Sequence, residues 1–288
     1  MRVLIPLIIG IFILIAVSGC MATQSSVPKQ EYHIDSKGLL SLSNPNATVS
    51  THIIREQDGI TLEKITLHTQ KGDVNALLAS PANPKAAIVY APGAGVPASG
   101  HLSRAQEYAT HSIAFLVIDI RGNGGETPGH PLDFDSDIDA YVAGEWPQVY
   151  LIVSDMIAGE HYLTERFGNI PVWVAGSSNG GRYAAIAAAA DPAFAGYIGV
   201  STAGFGFLNL SVREPAKTFL LSIEPDIAVA TLAPRPVLIF HAPDDPVIPY
   251  AMGESFAEKA GKNALFIPFN GTHGINQEVD TKIYQHIF

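Results

Sequence analysis

Nineteen residues in the second half of the chain, Val172 to Ala190, read VWVAGSSNGGRYAAIAAAA. Val172, Trp173, Val174 and Ala175 form a short apolar run of the kind a buried parallel strand gives, and from Gly181 to Ala190 strong helix formers take over. Between them lies a five-residue turn in which Gly176, Ser178 and Gly180 make the spacing Gly-x-Ser-x-Gly. A strand that turns this sharply into a helix lifts its middle residue above the sheet edge in a strained backbone conformation. Side chains at positions 176 and 180 would collide there, which explains both glycines. The helix beyond aims backbone N–H groups and its positive dipole end at any oxyanion forming beside Ser178. Ser178 is therefore the candidate nucleophile, while Ser177 points away. Glycine and serine are also ordinary turn residues, so the strand before the turn and the helix after it are what give the spacing its meaning.

The 288 residues, 47% of them hydrophobic, suffice for one large α/β domain around a single core. No internal repeat or low-complexity block divides them. A formal net charge of −10 argues against nucleic acid as a partner. The first residues are set apart from the fold: Met1 and Arg2 form a minimal basic start, and Val3 to Val17 is almost wholly apolar. Val17-Ser18-Gly19-Cys20 follows at once and resembles a bacterial lipobox, which implies a signal peptide over residues 1–19 and a lipidated Cys20. An uncleaved anchor and an ordinary signal peptide are the alternatives, although the apolar run is short for a full span. Cys20 is the single cysteine, so no intrachain disulfide exists in a chain that reads as exported. Residues 20–47, rich in Ser, Pro, Gln and Asn, read as a membrane tether, with the fold occupying 48–288.

Val49 to Arg55, Thr61 to His68 and Val74 to Ala79 read as strands that open the sheet in antiparallel fashion. Ala86 to Tyr90 reads as a buried strand running into Pro92-Gly93-Ala94-Gly95, a turn suited to pointing a backbone N–H into the site. Ala94 is the expected second oxyanion donor beside Asn179. After a helix over Ser103 to His111 and a strand over Ala114 to Ile118, the loop Asp119-Ile120-Arg121-Gly122-Asn123-Gly124-Gly125 places two charges where Asp119 and Arg121 would brace one another. Asp133, Asp135, Asp137 and Asp139 alternate, but the glycine and distal glutamate of a calcium loop are missing, so acids entering a helix are the expected arrangement. A helix interrupted or opened near Pro147 carries the chain to Phe167.

Strands over Tyr197 to Ser201, Pro236 to Phe240 and Ala264 to Phe269 complete the series, with helices from Tyr250 to Lys259 and at the end of the chain. The apolar segment Thr202 to Arg235 suits a small lid or acyl-pocket wall, or simple packing over the sheet. No acid ends the Tyr197 strand, so the orienting carboxylate comes later, where Asp244 and Asp245 share one loop. His273, flanked by Gly271 and Gly274 after the last strand, is the candidate base, and His241 is a decoy at a strand end.

The order Ser178, Asp245, His273, each just after an expected strand, resembles the α/β-hydrolase superfamily over Thr48 to Phe288. Gly-Ser-Ser-Asn-Gly-Gly and the Asp-x-Arg-Gly loop are similar to dienelactone-hydrolase-like and prolyl-oligopeptidase-like members. The departure is Pro92, which stands where histidine is common. The resemblance implies an α/β fold with a mostly parallel central sheet, an antiparallel N-terminal part and helices on both faces. The run His241-x-x-x-Asp245-x-Val247-x-Pro249 matches the family pattern and selects Asp245 over Asp244. His273 would take the Ser178 proton, the acid would hold the imidazole tautomer, and the N–H groups of Asn179 and Ala94 would receive the oxyanion.

No cofactor and no metal are called for. Carboxylester hydrolysis of a small acyl substrate is the leading expectation, with peptidase or thioesterase chemistry open to the same triad. A lipid-tethered binding protein without turnover is the contrasting class.

Overall fold

The computed structural model describes residues 32–43 and 47–288. Cys20, the apolar segment before it and the first part of the expected tether lie outside the described residues.

Two short strands, β1 (Tyr32–Ile34) and β2 (Leu40–Leu42), pair antiparallel across a turn in which Asp35 Oδ1 accepts the N–H groups of Lys37 and Leu39 at 2.8 and 2.9 Å. This corrects the expected tether up to residue 47. Tyr32 and Leu40 are buried. The Tyr32 ring meets Trp146 and Tyr150 edge-on at 5.7 and 4.9 Å, so apolar contact outweighs the polar composition around it.

The chain then builds one nine-stranded sheet. Strands β3 (Ala47–Gln57), β4 (Ile60–Thr69) and β5 (Gly72–Pro81) form an antiparallel meander. After β6 (Ala86–Ala91) come helix α1 (Leu102–Thr110) and β7 (Ile113–Ile118), then α2 (Phe134–Val142) and α3 (Gln148–Phe167). The break expected near Pro147 separates two helices: Asp133 caps α2, accepting from Asp135 and Ser136 N–H, and Pro147 opens α3. Next come β8 (Val172–Ser177), α4 (Asn179–Ala190), β9 (Tyr197–Val200), α5 (Ala216–Ser222), α6 (Pro225–Val229), β10 (Val237–His241), α7 (Tyr250–Ala260), β11 (Ala264–Pro268) and α8 (Gln277–Ile287).

The sheet order is β11-β10-β9-β8-β6-β7-β5-β4-β3, parallel from β11 through β7 and antiparallel from there to β3. Every residue of β6, β7, β8, β9 and β10 is buried, as a sheet covered on both faces requires. The two-residue period sorts them: Val172 and Val174 join the core under α3, α4 and α7, whereas Trp173 and Ala175 join the core under α1 and α8. This is the α/β-hydrolase fold. Among the described residues no helix is long and apolar enough to cross a membrane.

The chain passes from β5 to β6 over the position that β7 later fills, so the strand order reverses beside β6. Crevices at such reversals open outside the carboxyl ends of the strands. The loops after β6, β8, β9, β10 and β11 all emerge there.

The segment between β9 and β10 divides in two. Phe219 and Ile223 are buried in the core, and Tyr150 hydrogen-bonds Ser222, so this part is packing. Phe205 and Phe207 stack on one another and meet Phe134 edge-on, and the neighbouring Leu208 and Leu210 stay exposed.

Candidate active site

Ser178 stands between β8 and α4 with φ 53° and ψ −122°, a conformation costly for a residue with a side chain. Four bonds hold it there: its N–H reaches Val200 O at 2.9 Å, while its carbonyl accepts from Gly181 N, Arg182 N and the Thr202 hydroxyl. The flanking glycines are sterically required. A β-carbon at 176 would lie 2.3 Å from the Gly180 backbone, and one at 180 would lie 2.0 Å from Ala91 O. The loop after β6 presses against the same turn, since a β-carbon at Gly93 would sit 3.4 Å from Ser178 Cβ.

Among the described residues, neither Ala94 N–H nor Asn179 N–H donates to a protein acceptor. Both residues line a cavity of about 230 Å³ together with Gly124, Leu132, Gln148 and Tyr183. The Ala94 loop is shaped by Asn123, whose amide donates to Gly93 O and Val96 O at 2.8 Å and accepts Gly95 N–H at 2.7 Å. Sequence reasoning gave Asn123 no role beyond general support of the loop, and its three bonds are set by folding alone.

Beyond β10, Asp245 is buried while Asp244 is exposed. Asp245 Oδ1 accepts from Val247 and Ile248 N–H at 2.8 and 2.9 Å, and its two oxygens lie 3.0 and 2.9 Å from His273 Nδ1. A carboxylate only accepts, so Nδ1 carries the proton and Nε2 is left for a second partner. Burial pushes the Asp245 carboxyl up, but the bonds from Ile248, His273 and Val247 together outweigh it and hold the group below the ordinary carboxylate value.

His241 lies fully buried beneath this loop and donates Nε2–H to Ile248 O at 2.8 Å. It braces the acid's turn.

His273 makes no hydrogen bond to Ser178 in this structure, a looseness common before substrate tightens a site. Its loop is nonetheless drawn to the serine turn. Gly274 N–H donates to Ser201 Oγ at 3.0 Å, and a β-carbon at Gly274 would lie 3.7 Å from Ser177 Oγ. Ser201, at φ 47°, is also in the left-handed region, one strand over from Ser178. Arg104 holds the far side of the loop, donating to Ile275 O at 3.2 Å while Nε pairs with both Asp280 oxygens.

The expected brace between Asp119 and Arg121 does not form. Arg121 is turned under the sheet to pair bidentately with buried Asp155 at 2.7 and 3.0 Å, and Asp119 accepts Ala98, Glu126 and Thr127 N–H instead. Residues two apart share a face only in an extended strand; β7 ends at Ile118 and the chain turns at Arg121, so the two charges meet different partners.

Among the described residues, Glu160, His161 and Asp191 could together offer three metal ligands. They sit on α3 and beyond the last residue of α4, a twelve-residue helix about 18 Å long that starts at Ser178. His161 Nε2 lies 3.3 Å from Asp191, which accounts for the group as an ion pair away from the crevice.

A family described as serine aminopeptidase, S33, matches residues 82–233, just over half of the chain. The chain belongs to this family of α/β-hydrolases. The matched span holds the Ala94 loop and the Ser178 turn, and Asp245 and His273 lie beyond its end. Among solved structures, acetyl xylan esterase 1 from Thermoanaerobacterium sp. JW/SL YS485 superposes with a TM-score of 0.67 at 14% identity, over 84% of this chain and 87% of that one. An acetyl xylan esterase from Paenibacillus sp. R4 gives 0.65 at 16% over 84% and 88%. A glucuronoyl esterase from Solibacter usitatus gives 0.62 at 16% over 89% and 88%. At these identities the likeness is one of fold. No curated protein matches the chain.

Proposed function

We propose that this α/β-hydrolase is a serine carboxylesterase working through Ser178, His273 and Asp245. The observation that carries the reading is the Asp245 carboxylate on His273 Nδ1, in a crevice where Ser178 is held in a strained turn beside two unpaired N–H groups. Ser178 Oγ attacks the acyl carbon as His273 Nε2 takes its proton, and the carbonyl oxygen gathers charge facing the N–H groups of Ala94 and Asn179. The imidazolium then protonates the departing alkoxide, leaving an acyl-serine. Water, deprotonated by the same imidazole, releases the acid and restores the serine. Asp245 stays ionised throughout, favouring the imidazolium.

The family's description favours one other reading, hydrolysis at the amino end of peptides. Initial rates on p-nitrophenyl esters of graded chain length, set against aminoacyl p-nitroanilides, separate the two. Ester turnover at least about a hundredfold above anilide turnover, near 3 kcal/mol of barrier, supports the esterase reading, and the reverse order sinks it. We also propose export with a lipidated Cys20 as the mature first residue. Mass spectrometry of the membrane fraction tests it, and an intact Met1 would count against it.

A further inference from the structure

Two arginines attach to opposite ends of α4 and are used differently. Arg235 meets the C-terminal end, where Nη1 and Nη2 donate to the carbonyls of Ala188, Asp191 and Phe194. The Ala188 and Asp191 carbonyls belong to the negative end of the helix, so the cation is compensated there.

Arg182 lies in the first turn, where the helix dipole opposes a positive charge. Its Nε donates to Ala203 O at 2.9 Å and its Nη1 to Asn179 Oδ1 at 2.7 Å, with the guanidinium stacked 4.5 Å above the Phe205 ring. Among the described residues no carboxylate lies within ion-pair distance of it, and its Nη2 makes no hydrogen bond and is not wholly buried. Glu224, the acid whose charge acts on it, is engaged by the N–H groups of Phe205, Phe207 and Asp226. Burial holds the Arg182 guanidinium below its ordinary value, outweighing the charge of Glu224, which acts the other way.

The cation is therefore kept against burial and against the helix dipole, one hydrogen bond from Asn179, which follows Ser178 in the chain and is one of the residues lining the cavity. Holding the Ala203 loop would need Nε alone. An acidic protein repels anions at long range, so capture of one calls for a fixed local cation of this kind.

We infer that Arg182 is a specificity residue that pairs with a carboxylate on the substrate, making the preferred substrates short-chain esters that carry a carboxylate near the scissile bond. The inference rests on the esterase reading above. A planar guanidinium with one unbonded amino group, fixed by stacking, suits a single carboxylate, and its place one helical turn after Ser178 suits a short chain between that carboxylate and the scissile bond. The same charge would repel the free ammonium of a peptide's amino end.

The test compares esters with neutral isosteres, with the charge on either side of the bond: monomethyl succinate against methyl levulinate, and acetoxyacetate against acetoxyacetone. The readout is the ratio of kcat/KM, anionic over neutral, within each pair. In the wild type the ratio should exceed about ten in at least one pair, the worth of one charge-assisted bond. It should fall on going from about 0.05 M to about 0.5 M salt, as a partly exposed charge pair does. In Arg182→Gln the ratio should collapse toward one, and Arg182→Lys should retain part of it. Because each ratio is taken within one protein, loss of folded material does not mimic the result.

A wild-type ratio at or below one in both pairs, or a ratio unchanged in Arg182→Gln, overturns the inference. So does an enzyme that takes a fluorophosphonate label but hydrolyses none of the four esters. Failure of the wild type to label at all overturns the serine-hydrolase reading and this inference with it.

Discussion

Asp119 and Asp245 are both buried carboxylates in loops at the carboxyl edge of the sheet, one after β7 and one after β10. Asp119 is saturated by three backbone N–H groups, those of Ala98, Glu126 and Thr127, and its work is to fold a loop. Asp245 takes two backbone N–H groups on one oxygen and keeps the face of its carboxylate for the His273 ring. Burial and strand-end position therefore do not distinguish a catalytic acid from a structural one. What distinguishes them is an acceptor left over for a titratable partner delivered by another loop, here the loop after β11.

The sharpest way to break this contrast is at Asp245. Asp245→Asn should lower kcat by about 10⁴, the cost of losing the orienting acid in a serine protease, while circular dichroism shows a folded protein. Asp244→Asn, altering an exposed carboxylate, should stay within about tenfold of wild type. Equal losses in both variants would show that the acid is misassigned.

Asp119→Asn should act on stability first. One backbone N–H then faces an amide donor in place of a carboxylate oxygen, so urea unfolding should report a loss of about 1–3 kcal/mol. Folded Asp119→Asn should still label with a fluorophosphonate. A loss of turnover as large as that of Asp245→Asn, with unchanged stability, would erase the distinction.

The smallest effect is in acid. The native Asp245 value lies below the ordinary one, so its ionised form contributes stability in full above about pH 3.9. That contribution is lost as pH falls through the lowered native value. The stability difference between wild type and Asp245→Asn should thus hold from neutrality to about pH 4 and shrink below it. A gap that widens on acidification contradicts the assigned direction.

Much of this architecture is readable from local pattern. Unbroken apolar runs mark β6, β7, β8 and β10, and the Gly-x-Ser-x-Gly spacing carries its own steric explanation in the contacts of Gly176 and Gly180. Pairings across space are not readable in this way. Tyr32 and Leu40 sit in a polar stretch, and only the pocket formed with Trp146 and Tyr150 makes them core. Arg121 passes over Asp119, two residues away, for Asp155, thirty-four away. Ser201 and Thr202, which tie the His273 loop and the Ser178 carbonyl, end a strand with no motif to flag them. His241 reads as a stray histidine until Ile248 O is found above it.

The central claim, that Ser178 is the nucleophile, is tested most directly by fluorophosphonate labelling of wild type and Ser178→Ala with peptide mapping by mass spectrometry. The account predicts one adduct per wild-type chain, on Ser178. It predicts none in Ser178→Ala, which should also lose ester turnover while its thermal midpoint stays near that of wild type. An adduct that persists in Ser178→Ala, or a folded wild type that never labels, would contradict it.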